Sequence, residues 1–167
     1  MIRIRNITEK DCETVVTMIR ELAAFENLED QVTATAEDLR HVVFDEKIAH
    51  CFICDVNGEA AGYLLYFFNV STFKCRKGVY IEDIYVRPNF RGQGLGKAMI
   101  QNLALLADEW GCGRMEWMCL DWNTKAQDFY KSLGAEKMDA WELFRVDEKK
   151  LRNVYTGCCG CQGGCNH

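Results

Sequence analysis

Two adjacent carboxylates, Glu82 and Asp83, lie just upstream of a turn with glycines at 92, 94 and 96. The stretch around the acids, Tyr80-Ile-Glu-Asp-Ile-Tyr-Val86, is aromatic and β-branched and reads as a strand. Arg91-Gly-Gln-Gly-Leu-Gly96 follows and leads into a long apolar periodicity. Glycines at a strand-to-helix turn leave backbone N–H groups open where the helix dipole is positive, which is a cradle for phosphate. A phosphate site beside an acidic pocket suits a phosphate-bearing cofactor that meets a cationic substrate.

The rest of the chain must hold these groups in place. Ile2-Arg-Ile-Arg alternates like a short strand, and Thr8-Glu-Lys-Asp11 has the form of a capping box. Cys12, Val15, Val16, Ile19, Leu22 and Ala23 then recur at helical spacing. Thr35-Ala-Glu-Asp38 opens a shorter helix through Leu39, Val42 and Val43. Residues 48–56 and 60–69 read as strands joined by Asn57-Gly58, a strong hairpin signal, and 71–78 as a polar, basic turn. The strand over 79–87 stops near Pro88. Leu95, Met99, Leu103, Leu106 and Trp110 mark one face of a helix ended by Gly111 and Gly113. Met115–Leu120 reads as a buried strand. Asn123 can cap a helix carrying Phe129, Tyr130 and Leu133, with Gly134 as its C-terminal stop. A last strand is expected over Trp141–Val146 and a short helix over Glu148–Tyr155. The order implies one mixed α/β domain over 1–156, followed by a tail over 157–167.

The glycine turn fits neither common nucleotide motif. Walker loops require Gly at the position held here by Arg91, and Ser or Thr at the position held by Ala98. The dinucleotide fingerprint requires a third Gly where Lys97 stands. What remains, Arg-x-x-Gly-x-Gly between a strand and a long amphipathic helix, resembles the acetyl-CoA signature of the GCN5-related N-acetyltransferase superfamily. Leu22-Ala-Ala-Phe-Glu26, Asp30-Gln-Val32, His50-Cys51, Tyr80-Ile-Glu-Asp-Ile-Tyr-Val86, Leu120-Asp-Trp-Asn123 and Phe129-Tyr-Lys-Ser-Leu-Gly-Ala135 narrow the resemblance. They are similar to the diamine (spermidine/spermine) acetyltransferases, and most of all to their thialysine branch.

The resemblance covers about residues 2–146 and implies a central, mostly antiparallel twisted sheet flanked by helices. The acetyl-CoA site would lie where the fourth strand turns into the third helix. Ile84, Tyr85 and Val86 would bind acetyl-CoA through their backbone. Arg91, Gly92, Gln93, Gly94, Leu95, Gly96 and Lys97 would hold its pyrophosphate, and Asn123, Thr124, Lys125 and Ala126 its pantetheine end. Phe25, Glu26, Glu82 and Asp83 would contact the amine. Tyr130 would be the general acid. The resemblance also implies a homodimer and no metal requirement.

The chemistry needs such groups. At neutral pH about one lysine-like amine in a thousand is unprotonated, a deficit of roughly 4 kcal/mol. A carboxylate can attract the ammonium and take its proton. Glu82 is the candidate, with Glu26 as electrostatic partner. Alternation sends Glu82 and Asp83 to opposite faces of a regular strand, so both serve the substrate only if a bulge intervenes. A bulge near Val86 would free a backbone N–H to polarise the thioester carbonyl. Tyr130 can protonate the departing thiolate, slightly uphill from a phenol of pKa ~10 to a thiol of ~8.5.

The resemblance implies that the substrate is a lysine-like amino acid, a diamine or a polyamine. Lys74, Arg76 and Lys77 disfavour a polyamine's far end and could pair with an amino acid's carboxylate, or they are simply a solvated turn. A net charge of −5 over 167 residues gives no basic footprint for nucleic acid, and no apolar run is long enough to span a membrane. A cytoplasmic location is expected. Ten cysteines include Cys158, Cys159, Cys161 and Cys165, crowded with His167 at the end of the chain. They read as a disordered tail, a metal site or a redox element. Two competing functions therefore remain: a catalytically silent acetyl-CoA or amine-binding module, and metal binding by the tail.

Overall fold

Local chemistry starts the 3-10 turn Glu9–Asp11 that leads into the first helix, and the second helix itself, as expected. The Thr8 N–H and hydroxyl both donate to Asp11 Oδ2 at 2.7 Å, and the Thr35 N–H donates to Asp38 Oδ2 at 2.8 Å while Thr35 Oγ1 accepts from the Asp38 N–H. The computed structural model describes residues 1–157, so Cys158, Cys159, Cys161 and Cys165 lie outside the described residues. Its first compact unit is Met1–Met118 and its second starts at Cys119.

In the first unit, β1 (Ile2–Asn6) leads to α1 (Cys12–Glu26) and α2 (Ala36–Arg40). α2 is shorter than the periodicity predicts. His41–Asp45 form a π-helical turn that carries Val42 and Val43. β2 (His50–Val56), β3 (Glu59–Ser71) and β4 (Arg76–Val86) follow, then α3 (Leu95–Glu109) and β5 (Met115–Trp117). The five strands lie in chain order, antiparallel except for the parallel β4–β5 pair. Asn57 and Gly58 turn the β2–β3 hairpin with φ of 53° and 88°. The predicted turn over 71–78 contracts, because Ser71 pairs with Arg76 and the segment 76–78 joins β4.

One face of the sheet carries Cys51, Ile53, Tyr63 and Tyr85, which pack with Val15, Val16 and Met18 of α1 and with Leu39 of α2. Next to Trp110 at the end of α3, the other face presents Tyr66 and Phe68, with ring centroids 6.2 and 5.4 Å from the indole. Leu95, Met99 and Leu103 of α3 are fully or almost fully buried, as their spacing predicts.

Two irregularities interrupt the ladders. One lies at Cys54/Asp55 of β2. The other decides the site: Leu65 pairs with Asp83 but Tyr66 pairs with Ile81, so Glu82 is an extra residue in β4. The β4–β5 ladder ends at Ile81–Trp117, so β4 continues for five residues past its last β5 partner.

In the second unit, α4 (Thr124–Ser132) is capped by Asn123, whose Oδ1 accepts the Ala126 N–H at 3.2 Å. Gly134 follows it at φ 89°, as its predicted stop role requires. α5 (Glu148–Thr156) closes the described chain. No strand forms over residues 141–146, contrary to the sequence reading, and Trp141 and Phe144 are 72% and 88% exposed. β propensity is realised only by a ladder, and among the described residues this stretch pairs with none.

Candidate active site

The glycine turn has the backbone that its residues suggest. Gly92 and Gly94 both adopt φ 77°, where an L side chain is strained even though a Cβ at either would meet nothing within 4 Å. Gly94 caps α3, and the first amide bonded back into the helix is Ala98 N–H to Gly94 O at 2.9 Å. The N–H groups of Leu95, Gly96 and Lys97 therefore head the helix without intrahelical acceptors. The first turns of α1, α2 and α5 carry acids, whereas those of α3, which includes Lys97, and of α4 carry none. The positive end of this helix is uncompensated and suits a bound anion.

Arg91 ties the turn to the strand and to α1. Its Nε donates to Val86 O at 2.9 Å, and its guanidinium lies 5.1 Å from the Phe25 ring centre and 5.7 Å from that of Tyr85. Arg87 makes a second tie. It donates to Glu21 of α1 at 2.9 Å and to Ala60 O at 3.1 Å. Phe25, Tyr85, Val86 and Arg91, named separately from the sequence, thus meet at the end of β4.

The Arg87 N–H bonds Ala61 O at 2.9 Å, which makes Gly62–Val86 a non-hydrogen-bonded pair of the antiparallel ladder. By alternation the amides of Ile84 and Val86 point away from β3, toward the side where β5 has ended. The pairing through 83–86 is regular, so the bulge lies at Glu82 rather than near Val86. The outward amides come from the early end of β5 instead.

The bulge also resolves the two carboxylates. It places Asp83 on the α1 face with Tyr63 and Tyr85, while Ile81 returns to the α3 face. Tyr63 Oη donates to Asp83 Oδ2 at 3.2 Å. Burial, then the neighbouring Glu82 charge, raise the Asp83 carboxyl to about 6, with Glu26 adding to the rise and the Tyr63 hydroxyl opposing it. Glu26 on α1 is half-buried, and burial raises its carboxyl too. Glu82 is exposed and borders an open groove of ≈ 640 Å³ with Val42, Lys47, His50, Leu65 and Phe67. Three acids thus share one neighbourhood. Sequence reasoning passed over Tyr63 and Lys47. Tyr63 looks like any strand aromatic, and Lys47 lies in a loop.

Asn123, Thr124, Lys125, Ala126 and Tyr130 belong to the second unit. Asn123–Ala126 form the capped start of α4, and Tyr130 is half-buried beside Phe129, ring centres 5.4 Å apart. Among the described residues no group of three or more His, Cys, Asp or Glu side chains is arranged to hold a metal, and no helix is long and apolar enough to cross a membrane.

The model of the acetyltransferase (GNAT) family matches residues 16–135. The chain belongs to that family. This acetyltransferase is 39% identical over 165 residues to a thialysine N-epsilon-acetyltransferase of Bos taurus, covering 92% of this chain and 96% of the relative. It is 31% identical to a human spermidine/spermine N(1)-acetyltransferase-like protein, covering 91% of this chain and 23% of that one. Among solved structures, an integron cassette protein from V. cholerae superposes with a TM-score of 0.78 at 24% identity, covering 92% of this chain and 97% of the other, and shares the fold. The acetyltransferase is an acyltransfer enzyme of a family that uses acetyl-CoA.

Proposed function

We propose that this enzyme moves the acetyl group of acetyl-CoA directly to a primary amine of a small lysine-like amino acid or diamine. The observation that carries the reading is the acidic cluster of Glu82 and Asp83, on the strand that ends in outward amides and the glycine turn, with Glu26 of α1 beside them. Acetyl-CoA supplies the acetyl group activated as a thioester. The first-turn amides of α3, with Lys97, fit its pyrophosphate, and the Ile84 and Val86 backbone fits an extended amide-bearing chain. The carboxylates attract the ammonium and accept its proton, which frees the nitrogen lone pair for the thioester carbon. The nitrogen releases its second proton as the carbon–sulfur bond breaks, the thiolate takes the Tyr130 proton, and the phenolate regains the proton that the nitrogen released; the Tyr130 role rests on the family resemblance.

Charge placement favours an amino acid over a polyamine, though not through the basic segment that the sequence offers. Arg76 and Glu82 are six residues apart on one strand, roughly 20 Å at ~3.3 Å per residue. The carboxylate and terminal nitrogen of lysine lie within roughly 8 Å of each other by ordinary bond lengths. Lys77 is occupied over the Phe68 and Trp110 rings, 5.0 and 5.8 Å from their centres. Lys47, in contrast, borders the same groove as Glu82. It is the cation placed to pair with a substrate carboxylate and to repel the second ammonium of a diamine.

The test is acetyl-CoA consumption with thialysine, lysine, ornithine, cadaverine, putrescine, spermidine and spermine. Turnover is expected with the amino acids, and Lys47→Met should lower the lysine-to-cadaverine ratio of kcat/KM by about tenfold, the value of one charged contact. No consumption with any amine would refute the function. An unchanged ratio would refute the part given to Lys47.

A further inference from the structure

We infer that Tyr63 is a positioning residue whose phenol holds the Asp83 carboxylate as proton acceptor for the bound ammonium. The inference rests on the amine-acetylation reading but adds a residue that the reading does not need.

Tyr63 has no solvent exposure, so its hydroxyl must find a partner inside the protein. It pairs across the ladder with Tyr85, and Leu65 pairs with Asp83. Asp83 is thus its diagonal neighbour on the same face, within reach of an aromatic side chain. The 3.2 Å contact links the two side chains. Without the extra residue Glu82, the strand before the bulge would keep the same alternation and Ile81 would share the Asp83 face.

The surroundings show why this hydroxyl matters. The groups that face Asp83 are Glu82 on its own strand, Glu26 on α1, the Cys51 thiol on β2 and Tyr63 on β3. None is cationic. Burial raises the Cys51 thiol, which therefore stays neutral. Ionised Asp83 is disfavoured by burial and by two neighbouring acids, and the Tyr63 hydroxyl is the donor that opposes them. A proton passing from the ammonium to Asp83 needs the carboxylate form, and Tyr63 both keeps that form accessible and fixes which oxygen stays free. When Oδ2 accepts the phenol, Oδ1 is left for the proton. Burial pushes the phenol itself well above its ordinary range, so it donates without ionising.

Tyr63→Phe keeps the ring and removes the donor. If the hydroxyl holds the carboxylate, the acid limb of the kcat/KM profile should rise by about one pH unit, the value of one hydrogen bond to a charge. Activity at pH 6 should then fall about fivefold, approaching tenfold below about pH 5, while activity at pH 9 stays within about twofold of wild type. An equal loss at every pH would mark a purely structural role, and an unmoved profile would show that the hydroxyl does nothing; either overturns the inference. A titration that needs no turnover separates it from the functional reading. The ¹³C resonance of the Asp83 carboxyl, assigned by its loss in Asp83→Asn, should titrate near 6 in the wild-type chain and higher in Tyr63→Phe. If no amine is acetylated but the carboxyl moves as stated, the reading fails and the pair stands. If Tyr63→Phe does not fold, the wild-type chain decides: the Tyr63 ¹³Cζ resonance should shift with the same midpoint as the Asp83 carboxyl, because the two side chains share a hydrogen bond, and a Tyr63 resonance unmoved by that titration refutes the pair.

Discussion

Replacing Asp83 with asparagine should make the protein more stable at pH 8 and leave its stability unchanged at pH 4. The folded chain holds this carboxyl at about 6 against an ordinary value of 3.8. Between pH 4 and 6 the unfolded chain has released the proton and the folded chain has not, so the unfolded state binds fewer protons and stability falls as pH rises through that window. Above pH 6 the loss is complete, and at ~1.4 kcal/mol per pH unit it comes to about 3 kcal/mol. Asparagine has no charge to bury, and its Oδ1 can still accept the Tyr63 hydroxyl, so it recovers most of that amount. With a urea m-value of ~2 kcal/mol/M, the unfolding midpoint should rise by about 1–1.5 M at pH 8 and not at pH 4. The same variant should lose most acetyl transfer, the expected trade where a site keeps a group that the fold disfavours. Equal midpoints at pH 8, or a variant less stable than wild type there, would refute the claim that Asp83 is a charge held against its burial.

Gly62→Ala should destabilise the site strand, because a Cβ there collides with the Tyr85 carbonyl oxygen and comes within 3.3 Å of Val86 Cα. A loss of ~2 kcal/mol in thermal or urea unfolding is expected, of the size that overpacking costs, with a larger fall in activity; a wild-type melt would show that the strands tolerate the methyl. Tyr130→Phe should lower kcat by about 10²-fold or more with little change in KM if its proton reaches the thiolate, and an unchanged kcat would remove that role.

Where one turn of chain decides the outcome, the sequence was legible. Thr8, Thr35 and Asn123 cap what they were expected to cap, because a side chain three residues from its amide needs no tertiary help. Asn57-Gly58 turns its hairpin because positive φ at both positions suits few other pairs. The glycine turn was legible as a strand-to-helix turn, and its positive φ at Gly92 and Gly94 follows from the residues there. Outcomes that depend on two segments were not. Nothing in Tyr80–Val86 marks Glu82 as the extra residue, since a bulge is a property of the register with β3. The aromatic run 141–146 has strand propensity but no ladder among the described residues. The basic segment 74–77 looked like a partner for a substrate carboxylate until the length of β4 separated it from Glu82.

The end of β4 owes its capability to what is removed as much as to what is present. A paired strand offers neither donors nor acceptors at its edge. Here β5 stops at Trp117, so Val86 turns both its N–H and its C=O outward beyond the parallel ladder. An edge with both groups free would attract another strand as readily as a ligand. Arg91 breaks that symmetry by bonding the Val86 carbonyl at 2.9 Å and placing its charge beside it. The acceptor is consumed and the donor is left, in a positive field that continues through the glycine turn into the start of α3. On the proposed function this is the polarity that a thioester carbonyl and a pyrophosphate both require. The acids that would take up a proton on that reading lie a few residues back along the same strand, at a bulge that turns them from that field toward α1 and the groove. One strand end thereby separates a donor surface from a proton-accepting one, and separating the two is what an amide-forming transfer needs.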